Sequence, residues 1–295
     1  MTIDSLNSDA LLFAWQQRLA ELNLVVDFPD TIQTSLPLVW QYSQFVAEYC
    51  LRKPEVLLDL VASQDLLRQY DASTYLTRCS KLTIQSEEEL MHELRLLRNR
   101  EMVRIAWRDL AGWAELPETL MDLSLLAEAC IQTALDYVYQ QATAKRGTPL
   151  LSDGSAQQLI VLGMGKLGAY ELNFSSDIDL ILAYAEDGVL TDRKGTSYGE
   201  FFTKVGQSLV KVLSDTTSEG FVFRTDLRLR PFGESGALVM SFDGMEHYYL
   251  TQAREWERYA MIKARQVAGD VKTGAQLMAM LHAFVYRRYL DYGTF

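Results

Sequence analysis

The acidic pair Asp177 and Asp179 has the residue types and the spacing that suit metal-dependent chemistry. The segment Asp177-Ile178-Asp179-Leu180 alternates acidic and apolar residues, which predicts a strand whose two carboxylates share one face. Because like charges this close repel each other, a cation between the carboxylates would stabilise them. A single Asp-x-Asp pattern is also typical of solvated acids at an exposed strand start. Other residues must therefore decide between a metal site and a solvated strand end.

A second strand-like segment, residues 221–230, supplies a third acid among three arginines. Its alternation predicts an apolar face of Phe221, Phe223, Thr225, Leu227 and Leu229, and an opposite face of Arg224, Asp226, Arg228 and Arg230. Three carboxylates on adjacent strands can hold two Mg²⁺ ions, which activate an attacking oxygen and stabilise a leaving oxygen. Arg228 and Arg230 are candidates for phosphate contact because they share the face of Asp226. The combination predicts phosphoryl-type chemistry.

The glycine turn before the acidic pair admits two interpretations. The glycines match G-x-G-x-x-G after an apolar run: Gly163, Gly165 and Gly168. Two acids also lie where a dinucleotide-binding fold has its ribose-binding acid, Glu186 and Asp187. However, only about nine residues separate Gly168 from the next predicted strand, and a dinucleotide-binding unit needs a longer crossover helix. A P-loop fails because Leu167 follows Lys166 where Ser or Thr is required. The turn therefore favours backbone N–H groups and Lys166 that approach phosphate.

The composition is that of an ordinary soluble globular protein, with 295 residues of which 48% are hydrophobic and 23% charged. The formal net charge of −11 argues against a nucleic-acid partner, which would need clustered Lys and Arg. No run of about 18 apolar residues is present, so we expect neither a membrane span nor a membrane partner. Three scattered cysteines, and an N-terminal segment without a basic stretch before its apolar residues, predict a cytoplasmic protein.

The elements that must position these residues predict an α+β protein in three segments. Residues 1–150 repeat apolar side chains every three or four positions, as a helical domain does, and Ser86 before Glu87 is a candidate N-cap. Residues 151–242 form the predicted catalytic core around a small mixed sheet, with strands at 158–162, 178–184 and 221–229 and helices at 166–172 and 198–213. Residues 243–295 return to the helical period, which continues to the end without an evident cap.

Strand, glycine turn, short helix, Asp-x-Asp strand and a later acid-bearing strand resemble the nucleotidyltransferase superfamily that includes DNA polymerase β. A closer resemblance, to the glutamine synthetase adenylyltransferase family, is carried by four segments in the family's order. They are the arginine-rich residues 94–109, GMGKLGAYELNFSSDIDL at 163–180, RTDLRLRPFGESGALV at 224–239 and EWERYAMIKARQVAGD at 255–270. One departure is Gly165-Lys166, where many superfamily members have Gly-Ser.

The resemblance implies an Mg²⁺-dependent enzyme that removes AMP from a tyrosine of glutamine synthetase by phosphorolysis and releases ADP. ELNFSSDIDL, RPFGESG and the helical leader resemble the family's N-terminal, adenylyl-removing half. The implied ligands of two Mg²⁺ ions are Asp177, Asp179 and Asp226, with no organic cofactor. The implied contacts to nucleotide or phosphate are Gly165, Lys166, Ser176, Arg228 and Arg230. The implied partners are glutamine synthetase, ATP or ADP, inorganic phosphate and the signalling protein PII, the last through regions outside this chain.

Two other functions stay open, namely AMP transfer from ATP onto the synthetase and a catalytically silent docking or regulatory module. Because the family's chain is much longer and residues 289–295 end in a helical pattern, we expect a truncated form. Secondary candidates are an arginine stripe, predicted to be a solvated or salt-bridged face or a docking surface: Arg100, Arg104 and Arg108. Ion pairing or nucleotide contact is expected of Arg258 and Lys263, a helix-surface position of Glu171, and core packing of Phe242, Tyr248, Tyr249, Trp256 and Tyr259.

Overall fold

The computed structural model describes residues 8–286 and has the α+β architecture expected from the sequence. Within that range the chain forms two compact units. One comprises residues up to 74 together with 96–123, and the other comprises residues 75–95 together with those from 124 onward. The helical pattern noted at 289–295 lies outside the described residues, and the division at residues 150 and 242 stays a prediction.

The regular elements of the described chain before the first strand are all helices. They are Ser8–Glu21 (α1), Asp30–Tyr42 (α2), Gln44–Arg52 (α3), Pro54–Ala62 (α4), Thr74–Cys79 (α5), Glu87–Leu110 (α6) and Leu116–Arg146 (α7). In the first unit, Trp15 and Trp40 meet edge to face with ring centroids 5.6 Å apart, and both are buried. The predicted cap of α6 is confirmed, since Ser86 Oγ accepts a hydrogen bond from the Glu89 N–H at 3.1 Å.

The second unit contains a mixed five-stranded sheet. Its strands are Ile160–Gly163 (β1), Ile178–Tyr184 (β2), Thr225–Asp226 (β3), Val239–Ser241 (β4) and Arg265–Ala268 (β5). The strand order is β3-β2-β1-β5, with β4 also paired to β2. β1 runs antiparallel to β2 and β5, whereas β3 and β4 pair in parallel with the first and last residues of β2. The α-helices that follow β1 in this unit are Gly165–Gly168 (α8), Tyr198–Ser214 (α9), Phe242–Thr251 (α10), Glu255–Met261 (α11) and Val271–Val285 (α12).

The central strand β2 is fixed by burial. Ile178, Leu180 and Leu182 are buried, as the alternation predicted, while Asp177 is exposed and Asp179 is partly exposed. Helix α9 packs closely on this strand because it has a glycine at the contact; a Cβ on Gly206 would lie 2.9 Å from Leu182 Cδ1. The strand that carries the predicted acids is therefore a rigid part of the unit.

Three expectations about the elements need correction. The segment 221–229 is a strand only at Thr225–Asp226, because Ser214 Oγ accepts from the Thr225 N–H at 3.2 Å and local hydrogen bonds replace strand pairing after Asp226. The helix expected at 166–172 ends at Gly168. The region from 243 onward is not helical throughout, since β5 joins the sheet beside β1.

The arginine stripe of α6 is a buried ion-pair network in the first unit, which confirms the salt-bridged interpretation and contradicts both a solvated face and a docking surface. Arg104 Nη1 lies 2.9 Å from Asp122 Oδ2, and the Arg104 side chain has no exposed area. Arg100 lies 2.8 Å from an Asp65 carboxylate oxygen. Arg108 completes the network through Glu118 at 2.6 Å.

The expected core aromatics divide into two groups. Tyr248 and Tyr249 are buried and Phe242 packs partly buried against the same core, as expected, but Trp256 and Tyr259 are exposed by 53% and 73%. Helix α11 has only seven residues, too few to show which of its faces is apolar. Over residues 8–286, the structure contains no helix with both the length and the apolar character of a membrane span.

Candidate functional site

The parallel pairing of β2 with β3 brings two of the predicted metal ligands side by side. In this register Ile178 lies opposite Thr225, and Asp179 lies opposite Asp226. The pairing is continued by the Ile178 N–H, which donates to the Arg224 carbonyl at 2.9 Å. The expectation that the acids come from adjacent strands is therefore confirmed for Asp179 and Asp226.

Asp226 is held by the arginine two residues further along. Its carboxylate accepts hydrogen bonds from the Arg228 backbone N–H at 2.8 Å, from Nε at 2.8 Å and from Nη2 at 2.5 Å. These hydrogen bonds hold the pKa of Asp226 below its usual value, so this carboxylate is ionised at neutral pH. The Arg228 side chain is 71% exposed and can turn towards a ligand.

Asp177 precedes β2 and is paired with a different arginine. Arg224 Nε lies 2.5 Å from Asp177 Oδ1, and Arg224 Nη2 donates to the Ser175 carbonyl at 2.9 Å. The Arg224 and Asp177 side chains are 55% and 49% exposed. Exposed ion pairs contribute less than about 1 kcal/mol, so this pair holds Asp177 only weakly.

The surroundings of Asp179 disfavour its ionised form. Its pKa is raised first by burial and then by repulsion from Asp226 and Asp177, while Arg228 and Lys166 act in the opposite direction. A group that titrates in this way is destabilised as a carboxylate, and a bound cation would reverse that effect.

The glycine turn approaches this carboxylate through Gly165. Its φ of +54° lies in the left-handed region, and a Cβ at this position would lie 3.0 Å from Asp179 Oδ2. The neighbouring Met164 N–H donates to the Asp179 carbonyl at 2.9 Å, which fixes the turn against β2. A side chain at residue 165 would therefore crowd the site, so glycine is required.

Lys166 and Ser176, both predicted to contact phosphate, contact each other. Lys166 Nζ lies 3.3 Å from Ser176 Oγ, and Ser176 Oγ donates to Asn173 Oδ1 at 2.6 Å. Lys166 is exposed and its charge acts on Asp179. The structure thus places this lysine near the acids, and its contact with phosphate stays a prediction.

Arg230 forms a different set of hydrogen bonds from those of Arg228. Its guanidinium donates to the carbonyls of Leu227, Glu234 and Gly236 at 2.9, 3.1 and 3.4 Å. These bonds close the loop from 227 to 236 and give Arg230 a structural role. Its phosphate contact also stays a prediction.

Arg265 on β5 supports the glycine turn and was not identified from the sequence. It donates to the carbonyls of Gly168 and Leu167, both at 3.1 Å, and pairs with Glu128 at 2.5 Å. Its guanidinium also lies 3.6 Å from the centroid of the Tyr170 ring. No spacing signal could reveal this contact, because 97 positions of sequence separate Arg265 from Gly168.

Three further candidates take part in ion pairs within this unit. Lys263 Nζ lies 2.5 Å from the carboxylate of Glu171, which is exposed as expected. Arg258 pairs with Glu255 at 2.8 Å, as the ion-pair interpretation predicted. Neither cation therefore needs a nucleotide to explain its position.

The donor set suits Mg²⁺, which prefers carboxylate oxygens. Asp179 and Asp226 stand opposite each other, and burial together with repulsion raises the pKa of Asp179, an effect that a cation would oppose. Between residues 8 and 286, however, no three acidic, histidine or cysteine side chains converge as a metal site. Asp177 and Asp226 are instead paired with exposed arginine side chains. The register of β2 with β3 and the carboxylate oxygens of Asp179 and Asp226 therefore suit a cation with oxygen ligands.

Gly165→Ala is expected to lower catalytic activity about 10- to 100-fold, because the new Cβ would displace the Asp179 carboxylate. Steady-state rates of the catalysed reaction and thermal unfolding midpoints, both measured on the same protein preparation, test this prediction. Gly154→Ala is the matched control, since Gly154 also has a positive φ, +82°, but no atom lies within 4 Å of its added Cβ. Both variants should lose similar stability. Equal activity in the two variants would contradict a role for the close approach at Gly165.

The family model for glutamate–ammonia ligase adenylyltransferase matches residues 34–280. This chain is 52% identical over 287 residues to a bifunctional glutamine synthetase adenylyltransferase/adenylyl-removing enzyme of Nitrosococcus oceani, covering 96% of this chain and 30% of the relative.

Other relatives have the same description. The protein of Thioalkalivibrio sulfidiphilus is 52% identical over 263 residues, which is 88% of this chain and 27% of that protein. The protein of Pseudomonas putida is 50% identical over 256 residues, which is 85% of this chain and 26% of that protein. The chain therefore spans less than a third of the length of these relatives.

Proposed function

The chain belongs to the glutamate–ammonia ligase adenylyltransferase family, and from this premise we propose that it removes AMP from adenylylated glutamine synthetase by phosphorolysis, releasing ADP. The observation that carries the proposal is the register of Asp179 opposite Asp226, with the backbone of Gly165 against the Asp179 carboxylate. Paired carboxylates beside a glycine turn suit the transfer of a charged phosphoryl group, for which positioning and charge stabilisation supply most of the catalysis.

The proposed reaction exchanges one phosphorus–oxygen bond for another. An oxygen of inorganic phosphate forms a bond to the phosphorus of the adenylyl group, and the bond from that phosphorus to the tyrosine oxygen breaks. The tyrosine oxygen keeps the electron pair and takes up the proton that the hydrogen phosphate ion brings. The products are ADP and unmodified tyrosine, so atoms and charge balance without another reactant.

The residues of this chain would bind and orient the two reacting phosphates. Arg228, which is exposed and adjacent to Asp226, would bind phosphate oxygens with its planar guanidinium group. Lys166 would add a point charge from the glycine turn. Arg265 would keep that turn in place through its hydrogen bonds to the carbonyls of Gly168 and Leu167.

Asp177, Asp179 and Asp226 would hold Mg²⁺, and two ions are the number that this chemistry commonly uses. When bound, Mg²⁺ would supply positive charge to the transferring phosphoryl group and the leaving oxygen. With Asp226 turned to the cation, Arg228 would be released for phosphate, so the ion pair seen here would serve as a resting arrangement.

The direction of the reaction rests on resemblance. ELNFSSDIDL, RPFGESG and the helical leader support the adenylyl-removing half, while the names of the relatives include both adenylyl transfer and adenylyl removal. AMP transfer from ATP onto the synthetase is therefore the second candidate. We further propose that the chain acts in the cytoplasm, and that PII acts through regions outside it.

The test is incubation of the folded chain with adenylylated glutamine synthetase, Mg²⁺ and phosphate, followed by measurement of ADP. Asp177→Asn is the control and should abolish the product, because it removes a carboxylate from the site. AMP transfer from ATP onto unmodified synthetase, without ADP formation, would reverse the proposed direction. Neither activity from a well-folded chain would contradict the proposal and favour a docking module.

A further inference from the structure

A pocket of about 390 Å³ lies in the second unit next to Asp226. This volume falls within the range of about 300–1,000 Å³ typical of small-molecule sites. Its lining includes Arg228, Phe232, Tyr248, Gln252, Arg254 and Trp256. Arg228 also donates to the Asp226 carboxylate, so one side chain of the pocket lining contacts a candidate catalytic acid.

Two exposed aromatic side chains line this pocket. The Phe232 and Trp256 side chains are 50% and 53% exposed, an unusual position for large apolar groups. Phe232 contacts the Tyr248 ring, with centroids 4.5 Å apart. The pocket therefore offers flat apolar surfaces to a ligand.

The loop that carries Phe232 is strained and tightly constrained. Phe232 has a φ of +61°, a conformation that a bulky residue adopts rarely because its Cβ meets the neighbouring carbonyl oxygen. Arg230 holds the loop through the carbonyls of Leu227, Glu234 and Gly236. A Cβ on Gly236 would lie only 2.0 Å from the Pro231 carbonyl oxygen, so the loop backbone is closely packed at this point and leaves no room for a side chain. Strain kept in place by such constraints is common at ligand sites.

The charges around the pocket favour an anion. The Glu257 carboxylate is already satisfied, since it accepts from the Tyr248 hydroxyl at 2.8 Å and from the Arg254 backbone N–H at 3.0 Å. Arg228 shares its charge with Asp226 at the surface. In the described part of the chain, no carboxylate lies within ion-pair distance of the Arg254 guanidinium.

We propose that this pocket binds the adenine nucleoside of the adenylyl group, with the base against Trp256 and Phe232 and the phosphate towards Arg228. This rests on the proposed function and deepens it, because it assigns the nucleotide's base to residues of a loop and of helix α11. The Gln252 amide, a pocket-lining group with both donor and acceptor atoms, would read the edge of the base.

The test compares ADP with inorganic pyrophosphate, which share a diphosphate and differ by the nucleoside. Binding of each to the chain in Mg²⁺ is measured by isothermal titration calorimetry. Trp256→Ala is expected to weaken ADP binding roughly 5- to 100-fold through loss of stacking, and to leave pyrophosphate binding unchanged. Tyr259→Ala is the matched control, because Tyr259 is on the same helix, is 73% exposed and is not part of the pocket lining.

A second variant and an activity assay separate the possible failures. Gln252→Ala should weaken ADP more than pyrophosphate, without the loss of an aromatic ring. No binding of ADP to the folded wild-type chain, or equal losses for ADP and pyrophosphate, would overturn the pocket assignment. ADP binding that depends on Trp256, in a chain that forms no ADP from adenylylated synthetase, would retain the pocket and reject the proposed function. If the chain forms ADP from adenylylated synthetase but Trp256→Ala leaves the ADP affinity unchanged, the proposed function is retained and the pocket assignment is rejected.

Discussion

Replacing Asp179 with asparagine is expected to lower the rate of ADP formation about 10³-fold and to leave the folded chain at least as stable as before. The loss follows because the amide cannot supply the negative charge that a cation requires beside Asp226. The stability follows because burial and repulsion from Asp226 and Asp177 raise the pKa of Asp179. A raised carboxyl pKa means that ionisation at neutral pH opposes folding, and the uncharged amide removes that opposition.

The two effects are measured as initial rates with Mg²⁺ and as thermal midpoints in buffer without divalent cations. Asp243→Asn is the matched control, since Asp243 is an exposed acid in the first turn of α10 and belongs to neither β2 nor β3. It should change neither quantity. A fully active Asp179→Asn enzyme would remove Asp179 from the catalytic site, and a large fall in its midpoint would show that the carboxylate serves the fold.

Arg104→Ala is expected to destabilise the chain by about 3–5 kcal/mol, the largest effect on stability among the variants considered. The Arg104 guanidinium is fully buried, pairs with Asp122 and donates to the Asp65 carbonyl at 2.9 Å and to the Arg68 carbonyl. It also stacks on the Tyr70 ring at 3.4 Å. Truncation would leave a buried carboxylate and buried carbonyls with fewer partners.

Urea unfolding of the wild type, of Arg104→Ala and of Arg18→Ala tests this prediction. Arg18 is the matched control because it forms a surface ion pair with Glu21, and losing such a pair costs less than about 1 kcal/mol. If Arg104→Ala and Arg18→Ala unfold at the same urea concentration, the network around α6 contributes little to stability, and its burial has another explanation.

The sequence was most informative where periodicity is strong and contacts are local. The apolar run of β2, the amphipathic helix α9 and the Ser86 cap were predicted correctly because each depends on neighbouring residues. β5 was missed because Arg265–Ala268 is short and gains its stability by pairing with β1, about a hundred positions away.

Predictions for the site were likewise correct where they depended on local spacing and wrong where they depended on side-chain hydrogen bonds. The spacing of the acids predicted that Asp179 and Asp226 would lie on neighbouring strands, and the register agrees. The alternation beyond Asp226 was misleading, since Arg228 folds back onto Asp226 and Arg230 binds loop carbonyls. Such side-chain hydrogen bonds compete with strand pairing and have no signature in hydrophobic periodicity.

The most direct test of the proposed chemistry follows the fate of the attacking phosphate. The chain is incubated with adenylylated glutamine synthetase, Mg²⁺ and ³²P-labelled inorganic phosphate, and the nucleotide products are separated. Phosphorolysis at the Asp179–Asp226 site predicts labelled ADP, with the label entirely in the β-phosphate and absent when Asp179→Asn is used. Release of unlabelled AMP would show that water attacks instead of phosphate and would contradict the account.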